Sequence, residues 1–191
     1  MTAHSIDRAP QTSAVAKFYT PKPGLPSDIE FLLDTHGAPV NHDYAFERTM
    51  KNLVTTGGKN DLLDKYLAGS AYTATWFAGI ISLVSYTAIA AADTMASHAG
   101  WLEAGSTNAP TFTGTRPAIT FAAASGGVKA SSSIPTITFT GAGTVKGLFT
   151  TTVSTQGGTT GILYSAGLFT GGDAAVSSGY VMTLTFSATQ T

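Results

Sequence analysis

The chain has no cysteine and few charged residues. The absence of cysteine excludes a disulfide framework, a thiolate nucleophile and every zinc site built from sulfur ligands. Charged residues make up 11% of the 191 residues, whereas about a quarter is usual in a globular domain. The fold must therefore be held by packing, and a catalytic site would have few acid and base groups to use.

Positive charge is scarce as well. The chain carries 10 Lys and Arg against 11 Asp and Glu, so it lacks the basic field that dominates binding to nucleic acid. A secretory signal is not expected, because Asp7 and Arg8 lie where its apolar core would be. The uncharged residues 66–92 are interrupted by glycine, serine and threonine well short of the ~20 apolar residues that cross a bilayer. We therefore expect synthesis in a cytoplasm, with no nucleic-acid and no membrane partner.

The charge distribution divides the chain near residue 65. Of the charged residues, 15 fall in residues 1–65 and 6 in residues 66–191. Residues 1–26 contain four prolines and little apolar periodicity. They predict an extended arm that cannot bury enough surface to fold alone and that becomes ordered against another surface.

Three short helices are predicted between this arm and the rest of the chain. Ser27 and Glu30 form a capping box for the first, and Asn60 caps the third. Glycines end each of them. The helices are expected over about 28–35, from Asn41 to Gly57, and from Asn60 to Gly69. We accordingly predict three regions: an arm with a short helix (1–40), a helical segment that packs on the body (41–70) and the body itself (71–191).

From residue 72 the apolar period changes to two. The run from Trp76 to Leu83 is aromatic, β-branched and of strand length. Alternation in later segments predicts half-buried antiparallel strands, with glycine pairs such as Gly126-Gly127 at their turns. The alternating positions are Ile119 and Phe121, Ile137 and Phe139, and Met182, Leu184 and Phe186. The sequence therefore predicts a mainly β protein, an antiparallel β-sandwich of the jelly-roll or Greek-key type, with the arm and a few short helices attached.

Catalytic residue types occur together at one place. Asp93, Ser97 and His98 are the types of a nucleophile triad, but they share one short helical turn, on which adjacent residues face different ways. We expect a capping Asp and a structural His. Since residues 104–191 hold only four charged side chains, no catalytic site is expected there either. The sequence predicts that the protein is not an enzyme.

A metal site has one weak candidate. Imidazole and carboxylate ligands cluster within ten residues, but their spacing matches no common ligand pattern. The four residues are Asp34, His36, His42 and Asp43. We expect a solvated connector here, with no metal, no cofactor and no small-molecule substrate.

Several phrases of the sequence are distinctive as strings. The longest are GKNDLLDKYLAGSAYTA at residues 58–74 and ADTMASHAGWLE at residues 92–103, and shorter ones follow at 116–118, 123–127 and 157–167. In these phrases the chain resembles a group of small virion structural proteins of tailed bacteriophages. The resemblance covers about residues 45–187 and leaves residues 1–44 outside it.

The resemblance implies a structural role in a phage particle. We expect a capsid decoration or cement protein that is made in the host cytoplasm, lies on the capsid surface and stabilises the shell by bridging neighbouring subunits. A tail or head fibre, or receptor-binding module, is the alternative, in which Tyr164, Tyr180 and Trp101 would bind glycans. A neck or tail connector component is the third reading.

The expected partners are the major capsid protein and further copies of this chain. The arm would drape over an adjacent subunit, with each aromatic anchor contributing ~2 kcal/mol at best. Glycine-punctuated strands with few charges leave edges prone to pairing, so we expect a dimer or trimer. The partner-binding residues predicted in the arm are Phe18, Tyr19, Pro21, Pro23 and Leu25.

Overall fold

The structure, a computed structural model, describes residues 11–24, 33–35, 37–67 and 75–189. The described chain is mainly β, with eleven strands and one helix. The elements are β1 (Gln11–Pro21), β2 (His42–Val54), α1 (Thr56–Leu67), β3 (Trp76–Ser82), β4 (Glu103–Ala104), β5 (Ala118–Ile119), β6 (Val128–Ala130), β7 (Thr136–Thr138), β8 (Gly143–Thr151), β9 (Leu163–Thr170), β10 (Ala174–Val176) and β11 (Val181–Thr189).

All strand pairs in the described residues are antiparallel, and they form one open sheet. The main path runs β4-β3-β8-β9-β2-β1-β11-β6, while β5, β7 and β10 pair at the side with β3, β11 and β8. The predicted mainly β, antiparallel class is therefore confirmed, and the predicted strand beginning at Trp76 is β3.

Strand β1 corrects the predicted arm. Residues 11–21 pair with β2 on one side and β11 on the other, so they lie inside the sheet. Alternate residues of β1 are buried, among them Ala14, Ala16 and Phe18. The alternation is weak in the sequence because two of these inward residues are alanines, whose small side chains give little apolar signal.

Strand β2 corrects the helix predicted from Asn41 to Gly57. Its inward positions include Met50 and Val54, but also Asn52, so polar residues interrupt the period of two. The helix predicted over about 28–35 falls mostly outside the described residues; its last part includes Leu33, which forms an isolated bridge with Pro39.

Helix α1 starts earlier than predicted. It begins at Thr56. Gly57 and Gly58, which were expected to end the preceding predicted helix, lie in the first turn of α1. Among the described residues, no helix is long and apolar enough to cross a membrane.

Strands from both ends of the path contribute to one hydrophobic core. Ile80 of β3 and Leu184 of β11 are both fully buried in it. The backbone N–H of Leu148 in β8 donates to Met50 Sδ in β2 at 3.3 Å, although β8 and β2 are separated by β9 in the path. Residues of strands at both ends of the open path therefore pack into one apolar core.

A buried ion pair joins β4 to the loop before β5 and to the loop between β8 and β9. Arg116 Nε and Nη2 donate to the two carboxylate oxygens of Glu103, each at 2.7 Å. Side-chain exposure is 0% for Arg116 and 8% for Glu103. Arg116 also donates to the Val153 carbonyl at 2.8 Å, and Glu103 accepts the Gly157 N–H at 2.7 Å. Every strong polar group of the pair is thus hydrogen-bonded, as burial of charge requires.

Candidate functional site

Helix α1 is fixed to the sheet through its first turn. The hydroxyl of buried Thr55 accepts the Gly58 N–H at 3.1 Å and so caps the helix. The same hydroxyl donates to the Leu163 carbonyl, and the Thr55 N–H donates to the Tyr164 carbonyl at 3.0 Å. Gly58 lies so close to β9 that a Cβ there would be 2.4 Å from the Tyr164 carbonyl oxygen. The start of α1 is therefore held tightly against β9.

The apolar side chains of α1 remain exposed. Leu63 is 54% exposed, Tyr66 82% and Leu67 75%, and the buried residue of the helix is Gly58. The helix therefore contacts the body through its first turn, while these three apolar side chains stay exposed. Positions 63, 66 and 67 share one face of the helix, and we call them the α1 patch. A cluster of exposed apolar side chains is typical of a protein contact surface.

A cavity of about 390 Å³ lies beside the α1 patch, between the helix and the sheet. Pockets that hold small ligands have volumes of roughly 300 to 1,000 Å³ and mostly apolar walls. The rings of Trp76 and Tyr164 meet edge to face on one wall, with centroids 4.8 Å apart. The aromatic residues that line the cavity are Tyr66, Trp76, Phe121, Tyr164 and Phe186.

Hydrogen-bonded polar side chains line another part of the cavity wall. Asn52 Nδ2 donates to Ser165 Oγ at 2.9 Å, and Ser165 Oγ lies 2.8 Å from Thr150 Oγ1. Two buried oxygen atoms of the lining residues, Asn52 Oδ1 and Thr12 Oγ1, have no hydrogen-bond partner. Both oxygen atoms are themselves buried, so they lie behind the surface of the cavity wall.

Charge in the cavity lining is limited. Asp61 and Lys65 come from α1, and Lys129 comes from β6. Lys129 is exposed, and its Nζ donates to the Ala122 carbonyl at 3.0 Å. Burial raises the pKa of the Tyr164 hydroxyl, and the negative charge of Asp61 raises it further. The hydroxyl therefore stays neutral, and the cavity offers rings, hydroxyls and an amide for binding.

The residues predicted to bind a partner through the arm are placed differently from expectation. Phe18 is fully buried and stacks on Phe46, with centroids 4.7 Å apart. Tyr19 is 5% exposed and meets Tyr44 edge to face. Both aromatic residues are therefore occupied within the chain's own fold. The other three are Pro21 and Pro23, which are exposed, and Leu25, which lies outside the described residues.

Asp93 and His98 hold a buried tryptophan. The Asp93 carboxylate accepts from Trp101 Nε1 at 2.9 Å, and His98 Nδ1 lies 2.9 Å from the Trp101 carbonyl oxygen. The His98 ring also stacks on Trp101, with centroids 3.9 Å apart. These contacts agree with the structural role predicted for His98, but the predicted helical turn is wrong, since residues 93–100 form turns and bends.

The four residues considered for a metal site have other contacts or lie outside the described chain. Asp34 Oδ1 accepts the Ala38 N–H at 2.9 Å, and His42 Nε2 lies 3.0 Å from the Gly179 carbonyl oxygen. Asp43 pairs with Lys22 at 3.9 Å on the surface. His36 is outside the described residues, within which no group of three potential ligands comes together.

The three aromatic residues considered for glycan binding lie in different parts of the structure. Trp101 is fully buried, and Tyr180 is half-buried against the main core. Tyr164 alone of these three lines the cavity.

Thr12 and Asn52 were not identified from the sequence as site residues. They are 40 residues apart, and they face each other as cross-strand partners in the β1-β2 register. No local motif predicts that register, because it depends on β1 lying inside the sheet.

The chain matches no protein-family model, no curated protein and no solved structure.

Proposed function

We propose that the chain is a structural virion protein of a tailed bacteriophage, most directly a capsid decoration or cement protein. The proposal begins from the resemblance at residues 58–74 and 92–103. Its partners are the major capsid protein and further copies of the chain, and its place is the capsid surface after assembly in the host cytoplasm.

The observation that carries this proposal is the α1 patch. Three large apolar side chains are exposed on one face of a helix whose start is fixed to the sheet. All three residues of the patch lie within the longest stretch of resemblance, residues 58–74. A rigid, preformed apolar surface can bind a neighbouring subunit with little loss of conformational entropy. The patch therefore replaces Phe18 and Tyr19 as the proposed contact with the shell.

The proposed body is a β-sandwich of the jelly-roll or Greek-key type. Support comes from the shared core, to which strands at both ends of the open path contribute. A sandwich with few charged residues suits a protein that works by covering surface.

A tail or head fibre that binds a receptor is the alternative. It is favoured by the aromatic cavity, because aromatic rings beside hydrogen-bonding side chains can bind a surface ligand. A neck or tail connector remains the third proposal. Binding to whole cells separates the alternative from the capsid role.

The α1 patch is tested with the double variant Leu63→Gln/Leu67→Gln. Both leucines are exposed and neither lines the cavity, and glutamine is a good helix former. We expect normal folding and at least about tenfold weaker binding to empty phage heads per leucine, because each leucine would lose its burial in the contact. The measurement is co-sedimentation with heads over a range of protein concentrations.

The matched control is Leu83→Gln/Val84→Gln. These residues are 45% and 43% exposed and lie outside α1. We expect this control to bind heads like the unchanged protein. Equal binding by both double variants would contradict the role of the patch.

A further inference from the structure

We propose that the cavity between α1 and the sheet binds a free aromatic α-amino acid as its zwitterion. The rings of the ligand contact the aromatic walls, its ammonium group pairs with Asp61, and its carboxylate pairs with Lys65. This site is independent of the virion role, since neither Leu63 nor Leu67 lines the cavity.

The two charged groups come from the side of α1 that faces the cavity. Asp61 and Lys65 lie four residues apart on the helix, so their side chains share one face. Both residues line the cavity, and both are half-buried. In the part of the chain that the structure describes, no ion pair joins them, and neither side chain makes a hydrogen bond. A carboxylate and an ammonium group therefore face one cavity, and each is free to pair with a ligand of opposite charge.

The opposite signs of these groups favour a zwitterion over an ion of a single charge. Residues at this spacing on a helix have Cβ atoms about 5 to 6 Å apart. A ligand with one charge would pair with one of the two side chains and repel the other. An α-amino acid carries its ammonium and carboxylate groups on the same carbon atom. One such ligand can therefore pair with Asp61 and Lys65 together.

The aromatic walls select the side chain of the ligand. Trp76 and Tyr164 meet edge to face, and Phe121 and Phe186 also line the cavity. Aromatic rings pack well against other rings in offset or edge-to-face arrangements. The volume of about 390 Å³ lies within the range of small-ligand pockets. A one-ring or two-ring side chain is therefore expected.

The Asp61 carboxylate lies near the aromatic wall. Burial raises the pKa of the Tyr164 hydroxyl, and the negative charge of Asp61 raises it further. An ammonium group paired with Asp61 would thus lie beside the rings as well, and aromatic faces attract cations. The charged end of the ligand and its rings can therefore occupy adjoining parts of the same cavity.

Lys129 is the remaining charged residue of the lining. It is exposed, and its Nζ donates to the Ala122 carbonyl at 3.0 Å. Water and this carbonyl already solvate its charge. Both charges of the ligand are therefore assigned to α1.

Three indole compounds test the charge requirement. L-Tryptophan carries both charges, tryptamine lacks the carboxylate, and indole-3-propionate lacks the ammonium group. Titration calorimetry on the full chain is expected to show one saturable site for L-tryptophan. Each of the other two compounds should bind at least about fivefold more weakly, because it leaves one charged side chain unpaired and loses a charge-assisted hydrogen bond.

Two variants remove one charge each with little change of shape. Asp61→Asn is expected to bring the affinity for L-tryptophan close to that for indole-3-propionate, while the preference over tryptamine is kept. Lys65→Gln is expected to bring the affinity for L-tryptophan close to that for tryptamine, while the preference over indole-3-propionate is kept. Neither side chain is fully buried, so folding should be preserved, and circular dichroism checks it.

The matched controls are Asp64→Asn and Lys59→Gln. Both residues belong to α1 and are exposed, and neither lines the cavity. They change the net charge of the helix in the same way, and both are expected to keep the full preference for L-tryptophan.

Three results would overturn the proposal. The first is the absence of saturable binding of L-tryptophan, and the second is equal affinity of the unchanged protein for the three compounds. The third is an equal effect of each cavity variant and its control on these preferences.

Discussion

At the scale of single residues, two ion pairs of the protein differ in how deeply they are buried. The ion pair of Glu103 and Arg116 is enclosed and fully hydrogen-bonded, whereas the pair of Lys146 and Asp173 lies nearer the surface, with side chains 19% and 38% exposed. A buried charge that loses its partner is far more costly than an exposed one. The two pairs should therefore respond very differently to loss of the acid.

Removing the Glu103 carboxylate should destabilise the protein strongly. We expect Glu103→Leu to lower the free energy of unfolding by about 3 to 5 kcal/mol, because it leaves the Arg116 charge buried. Asp173→Ala should cost at most about 1 kcal/mol. Urea denaturation of both variants measures the difference, and similar losses in the two would contradict this account.

Tyr164 should make stability depend on pH in the alkaline range. Its pKa is raised in the folded protein, first by burial and then by Asp61. The folded state therefore holds the proton more tightly than the unfolded chain does. This contribution is complete below the ordinary pKa of about 10 and is lost as pH rises through the raised value.

The variant Tyr164→Phe isolates this effect. Unfolding of the unchanged protein and of the variant is compared from pH 8 to pH 11. The unchanged protein should lose more stability over this range, because phenylalanine has no proton to release. Parallel profiles would show that Tyr164 does not contribute.

At the scale of elements, the attachment of α1 depends on one glycine. A Cβ at Gly58 would be 2.4 Å from the Tyr164 carbonyl oxygen, which is backbone and cannot move aside easily. At Gly57 the nearest atoms are 3.8 and 4.0 Å from such a Cβ, which is ordinary contact. A side chain therefore fits at position 57 but not at position 58 without a shift of the backbone.

Alanine substitution at these two positions should have opposite effects. Gly58→Ala should destabilise by about 1 to 3 kcal/mol, since it overpacks the contact with β9. Gly57→Ala should be neutral or stabilise by up to about 1 kcal/mol, because alanine favours helix more than glycine does. Thermal unfolding measures both. Stabilisation by both substitutions would mean that α1 is not held against β9 as described.

Local sequence patterns predicted some elements and missed others for identifiable reasons. The run from Trp76 predicted β3 because its residues are strongly β-forming throughout. Strand β1 was missed because small inward alanines hide the period of two, and β2 because Asn52 interrupts it. The cavity was not predicted from the sequence, since the pairing of Thr12 with Asn52 depends on long-range register; of its lining residues, Tyr164 was named only as a candidate for glycan binding.

At the scale of the whole molecule, the chain joins a β-sheet body to a helix that exposes an apolar patch. Main-core packing uses residues from both ends of the sheet, and the α1 patch is left without cover from the described residues. Such a surface favours assembly with other subunits. This combination supports the proposed role as a component of a larger shell.

The most direct test of that role is co-sedimentation of the purified protein with empty heads of its phage and, separately, with host cells. Its mass in solution is measured in parallel by light scattering, with a dimer or trimer expected. Saturable binding to heads, at a stoichiometry commensurate with the shell, is the predicted result. Binding to cells without binding to heads, or binding to neither, would contradict the capsid decoration role.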